Sequence, residues 1–140
     1  MTQINPYLHF NGTCREAMEF YRSSLGGELK LMTVGESPMA ARMPAAMHQR
    51  ILHAVLVKEG FTLMASDMMG PEGIRQGNAL SLSLVCDSRP DLESAFAKLS
   101  AGGKVTHALQ EEFFGLHGSL TDRYGIDWMF TFEDPKRRPS

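Results

Sequence analysis

One pattern occurs twice in this chain, and it restricts the fold more than any other feature of the sequence. An alternating segment, an amphipathic helix pattern and a pair of glycines follow one another in each half. In the first half, NPYLHFN places Leu8 and Phe10 on one face of a strand and Tyr7 and His9 on the other. Thr13 and Glu16 then have capping-box spacing, Ala17, Phe20, Tyr21 and Leu25 recur on one helical face, and Gly26 and Gly27 supply the stop. In the second half, ALSLSLV aligns Leu80, Leu82 and Leu84. Ser88 is placed to cap a helix with Leu92, Ala95, Phe96 and Leu99 on its apolar stripe, and Gly102 and Gly103 end it. Three further extended runs follow each helix: ELKLMTV, ILHAVLV and FTLMASD, then KVTHALQ, GSLTD and IDWMFTF. Each half therefore reads βαβββ. A unit of that kind leaves one sheet face uncovered, which predicts an α+β fold in which two modules form an open, curved mixed sheet around a pocket, helices outside. The modules span about 4–70 and 78–132 of a single domain. The Gly- and Pro-bearing MMGPEGIRQGN links them, and 133–140 reads as a solvated, disordered tail.

Composition narrows the function classes. With 14 basic and 16 acidic residues, a formal charge of −2 and no basic run, no surface for tracking nucleic-acid phosphates is evident. No apolar stretch approaches the roughly 20 residues that span a bilayer. The N-terminus MTQINPYLHF lacks a signal-peptide layout, so a soluble cytoplasmic protein is expected. Cys14 and Cys86 are far apart and suggest neither a zinc cage nor a disulfide framework.

The residue types that carry chemistry are few. His53, in ILHAVL, is the candidate for a hydrogen-bond donor or general base, against the alternative of a satisfied core histidine; His9 is a weaker candidate. If His9, His53 and Asp67 face one interior, they form a mixed acid–base or metal-binding trio, which a slip of one residue in register would undo. In FFGLHGSLTDRYGIDWMF, Gly115 and Gly118 allow a tight turn or a close backbone approach to a ligand, and DRYG reads as a hairpin turn. Two readings stay open there: Trp128 and Phe130 are core, or Phe113, Phe114 and His117 rim a pocket. His48 and His107 read as structural or surface residues, and Ser81 and Ser83 lack a paired histidine. Met39, Met43 and Met47 recur at helical spacing but are interrupted by Pro44. They plug a core edge or dimer seam, or form an adaptable lid.

The stretches PYLHFNG, EAMEFY, LGG, ILHAVL and LMASD, and above all FFG, TDRYG and DWM in that order, resemble the PhnB-like branch of the vicinal oxygen chelate superfamily, the glyoxalase and bleomycin-resistance group. The resemblance implies a glyoxalase-like fold. In metal-holding members, ligands come from the first and last strands of each module. The matching positions here fall near Asn5, Tyr7 and His9, then Ala79, Ser81 and Ser83, with Met64, Ser66 or Asp67 and Asp127 or Met129 on the closing strands. No register yields the two-His, two-Glu glyoxalase set, so no residue is assigned as a metal ligand and a divalent cofactor is disfavoured. The expectation is a homodimer with a small-molecule pocket. As an enzyme it would act on a small oxygen-bearing substrate through His53, His9 and Asp67. As a metal-free binding protein it would sequester a hydrophobic or aromatic compound between Tyr7, Phe113, Phe114, His117, Trp128 and Met129. Neither nucleic acid nor membrane is an expected partner.

Overall fold

A computed structural model describes residues 2–137. The chain divides into two compact units, 1–76 and 77–140. In the first, β1 (Tyr7–His9) leads to α1 (Cys14–Leu25), β2 (Glu28–Thr33), β3 (Ile51–Lys58) and β4 (Phe61–Ser66). The sheet order is β1-β4-β3-β2, with β1 parallel to β4 and the other pairs antiparallel. In the second, β5 (Leu82–Val85) precedes α2 (Arg89–Ser100), β6 (Lys104–Glu112), β7 (Gly115–Thr121) and β8 (Asp127–Glu133), in the order β5-β8-β7-β6 with β5 parallel to β8. The repeat extends to single contacts. The Phe10 amide donates to the Ser66 carbonyl just as the Cys86 amide donates to Thr131, each bond extending the parallel pair by one residue. These are the two mixed four-stranded sheets expected of a glyoxalase-like α+β fold.

Each helix covers one face of its own sheet. In α1 the buried positions are Cys14, Ala17, Met18 and Tyr21, an i, i+3, i+4, i+7 stripe. Phe20 and Leu25, placed on that stripe from sequence, are half-buried on its flank. Opposite them, Ala54, Leu56, Leu63 and Ala65 are buried. In α2, Leu92, Ala95 and Leu99 are buried, and the Phe96 ring meets the Phe130 ring edge-on at 5.1 Å. Among the described residues, no helix is long and apolar enough to cross a membrane.

Local differences from the sequence reading have identifiable causes. The first strand of the second unit starts at Leu82, and Leu80 is 86% exposed, because its partner β8 begins only at Asp127, across from Ser81 and beyond the Asp122–Gly125 turn. β6 runs on to Glu112, through register shifts at Val105/His107 and His107/Gln110. Thr13 stands at the N-cap of α1 but makes no side-chain capping bond. Pro44 separates two short 3-10 turns, Pro38–Arg42 and Ala45–Met47. The loop holding them is tied down: Nε2 of His48 lies 2.9 Å from the Ala40 carbonyl and 3.1 Å from that of Met43, and the Ser37 hydroxyl donates to Val34. Of the expected tail, Glu133 closes β8 and Pro135–Arg137 form a 3-10 turn, while 138–140 lie outside the described residues.

Candidate functional site

Because side chains alternate along a strand, the first sheet turns Tyr7, His9, His53, Val55, Val57, Met64, Lys30 and Met32 away from α1. Three of these form a cluster. The Tyr7 hydroxyl lies 3.3 Å from Nδ1 of His53, and the Tyr7 ring is 5.2 Å from the His9 ring and 5.9 Å from that of His53. His9 Nδ1 sits 3.3 Å from the Met68 carbonyl. Beyond His9, an open cleft of about 360 Å³ is bounded by residues 69–75. Tyr7 is 41% exposed and His53 half-buried, so the pair meets solvent and has polarisable neighbours. Two tautomers serve the Tyr7–His53 bond. If the phenol donates to Nδ1, His53 presents Nε2–H; if Nδ1–H donates to the phenol oxygen, Nε2 is a free base. The couple can thus offer either a donor or an acceptor to an oxygen-bearing ligand.

Asp67 does not join them. It is 2% exposed, and its carboxylate is committed to backbone amides: Oδ1 accepts from Gly12 at 2.8 Å and from Cys14 at 3.0 Å, and Oδ2 accepts from Ile51 at 2.9 Å. It supplies across 53 residues the cap that Thr13 does not supply locally, and it ties the start of α1 to the start of β3. The trio drawn from sequence is therefore a pair of histidines joined by Tyr7. Arg50 reinforces the knot, donating to the Asp67 carbonyl at 2.9 Å and to the Asn11 side chain at 2.5 Å. Burial pushes the neighbouring Cys14 thiol up to about 12, with the Asp67 charge adding to the effect, so this cysteine is an inert core group.

In the second unit the candidate ligand contacts separate. Phe113 is 85% exposed at the tip of the β6–β7 hairpin, edge-on to Phe114 at 5.2 Å, and Phe114 is 6.4 Å from His117. Nearby, Arg89 lies over the Phe132 ring and is held by Glu111, whose carboxylate keeps the guanidinium pKa raised. His117 faces Thr131 across the strand pair, 3.5 Å from its hydroxyl, and Met129 is exposed on the same face. Trp128 is elsewhere: 4% exposed, it donates from Nε1 to Asp122 at 2.8 Å. The other oxygen of that carboxylate accepts from the Tyr124 and Ile126 amides at 2.8 and 3.2 Å. Trp128 is thus core rather than pocket wall, and DRYG is a turn clamped by a buried carboxylate. The glycines have packing roles too. A Cβ on Gly118 would fall 2.7 Å from Leu109 and 3.0 Å from Phe96, and one on Gly115 would run into the Phe132 carbonyl. One cluster escaped the sequence reading: Ser119 Oγ lies 3.1 Å from His107 Nδ1 and 2.7 Å from the Thr106 hydroxyl. The bulge in β6 sets both residues against Ser119, and alternation gives no signal of a bulge.

The donor set for a divalent metal does not assemble. Among the described residues no three His, Cys, Asp or Glu side chains converge, and the Asp67 carboxylate is committed to three backbone amides.

The chain matches, over residues 2–131, the family described as 3-demethylubiquinone-9 3-methyltransferase. It is 35% identical to protein YjdN of Escherichia coli K12 over 138 residues, covering 90% of this chain and 92% of that one. A solved protein from Pseudomonas aeruginosa is 42% identical with a TM-score of 0.82, covering 95% and 98%. A PhnB protein from Bacillus cereus has the same fold at 24% identity and a TM-score of 0.73, covering 94% and 99%. The chain belongs to the family described as 3-demethylubiquinone-9 3-methyltransferase, and it shares its fold with the PhnB protein and with a glyoxylase/bleomycin resistance protein/dioxygenase domain from Frankia sp. EAN1pec, 20% identical with a TM-score of 0.59, covering 96% and 94%.

Proposed function

We propose that the face of the first sheet turned away from α1 binds a small, planar, oxygen-bearing molecule and that His53, coupled to Tyr7, is its acid–base group. The observation that carries this reading is the Tyr7–His53 bond at 3.3 Å, set beside half-buried Val55 and Met64 and exposed His9. A ring would rest on the side chains of Val55 and Met64, while its hydroxyl or carbonyl oxygen meets Nε2 of His53. As a base, His53 takes the proton at that oxygen or at the adjacent carbon, and Tyr7 stabilises the imidazolium from the Nδ1 side. The family description points to the same kind of ligand, since a demethylated ubiquinone is a planar ring bearing oxygens. A second reading, binding without chemistry, draws on the exposed apolar groups Met32 and Val57 beside the cluster. The proposal includes a homodimer, supported by β6, a nine-residue edge strand exposed over most of its length.

Calorimetric titration with a neutral phenol, 4-hydroxybenzyl alcohol, tests the site. His53→Ala should weaken binding about fivefold or more, through loss of its hydrogen bond to the ligand, and Tyr7→Phe about threefold, through loss of the bond that orients the His53 ring. Equal affinity in wild type and both variants would show that the ligand does not bind at Tyr7 and His53. Consumption of the bound ligand would favour acid–base chemistry, and its quantitative recovery would favour sequestration.

A further inference from the structure

The strand register supplies one more element of this face. Tyr7 pairs with Met64, Met64 with Val55 and Val55 with Lys30, so a single rung crosses all four strands from a phenol to an ammonium. On the rung beside it, His53 faces Met32. His53 and Lys30 are therefore diagonal neighbours on adjacent antiparallel strands, with Cβ atoms about 7–8 Å apart, and Val55 lies between them. A ring lying on Val55 would have the imidazole at one end, with the lysine's flexible four-carbon stem able to bring its ammonium to the other. The other charge on this face of β2 is Glu28, opposite Val57, which keeps a negative end from sliding past Lys30. Lys58, at the end of β3, is turned aside and donates to the Leu25 carbonyl at 2.7 Å.

We infer that the ligand is an anion: a single planar ring with its oxygen at Tyr7–His53 and a carboxylate, or a group of like charge, at Lys30. This rests on the small-molecule site proposed above and adds the charge of what fills it. The Lys30 side chain is exposed, so its contribution is that of a solvent-screened pair. It selects among ligands that the ring and the histidine already hold.

The test compares 4-hydroxybenzoate with its neutral counterpart 4-hydroxybenzyl alcohol, on wild type and on Lys30→Met, by calorimetry and by the ring-proton resonances of His53. Wild type should prefer the carboxylate about three- to fivefold, the size of an exposed ion pair. The preference should shrink as salt is raised and vanish in Lys30→Met, with binding of the neutral compound unchanged. If both compounds shift His53 but bind equally to wild type, the anion assignment fails while the site stands. If neither shifts His53, the site itself fails and the assignment with it. A preference that survives in Lys30→Met overturns the role of Lys30.

Discussion

Replacing Asp67 by alanine is expected to destabilise the protein by about 3–5 kcal/mol, because it leaves the buried amides of Cys14 and Ile51 and the part-buried amide of Gly12 without their acceptor. For a chain of this size that corresponds to a fall in Tm on the order of 10–15 °C. The effect exceeds that of an ordinary helix cap, worth about 1 kcal/mol, because one carboxylate also holds the start of β3. Asp67→Asn keeps one carbonyl oxygen as acceptor and should recover part of the loss. The substitution also separates the two roles considered for this residue. A catalytic carboxylate, once converted to the amide, would lose turnover and retain stability; a structural one loses stability and leaves the ligand affinity of the surviving fold near that of wild type. A denaturant midpoint for Asp67→Ala equal to that of the parent would contradict the capping role.

The second large effect is expected at Gly115. Its φ of +150° lies outside the range side chains favour, and a Cβ there would collide with the Phe132 carbonyl and approach the Asp134 nitrogen to 2.9 Å. Both obstacles are backbone atoms of the β8 end, so no rotamer change relieves the collision. Gly115→Ala should cost about 3–4 kcal/mol and should open the hairpin tip, read as faster amide exchange at Gly115 and Asp134. Gly60→Ala is the control. Gly60 also has a positive φ, +101°, but nothing lies within 4 Å of its would-be Cβ, so only conformational strain of about 1–2 kcal/mol should appear. Equal losses in the two variants would show that the collision contributes nothing.

The sequence disclosed what periodicity can disclose. Alternation and helical spacing located both βαβββ units, because they report which side of an element is apolar, and in both units that side is the one beneath the helix. Leu80 shows where alternation stops helping: it continues the pattern of Leu82 and Leu84, yet β8 offers it no partner. Long-range polar bonds leave no periodic trace. Nothing in the residues near Thr13 indicates that the cap for α1 comes from Asp67, and nothing in DRYG indicates that the carboxylate of Asp122 holds the Trp128 indole. The same gap affected the site. His9 and His53 could be picked by residue type and by sharing a face, whereas Tyr7 as the link between them depends on the parallel register of β1 on β4. Lys30 needed the whole rung, which no single segment contains.

Ligand chemistry is assigned to the Tyr7, His9 and His53 face of the first sheet. The decisive measurement titrates 4-hydroxybenzyl alcohol into protein with isotope-labelled histidines, each resonance assigned by a His→Gln variant. Saturable shifts are expected at His53 and His9, with His107 and His117 unmoved. Shifts confined to His107 or His117, or none at any histidine while the compound binds, would contradict this placement.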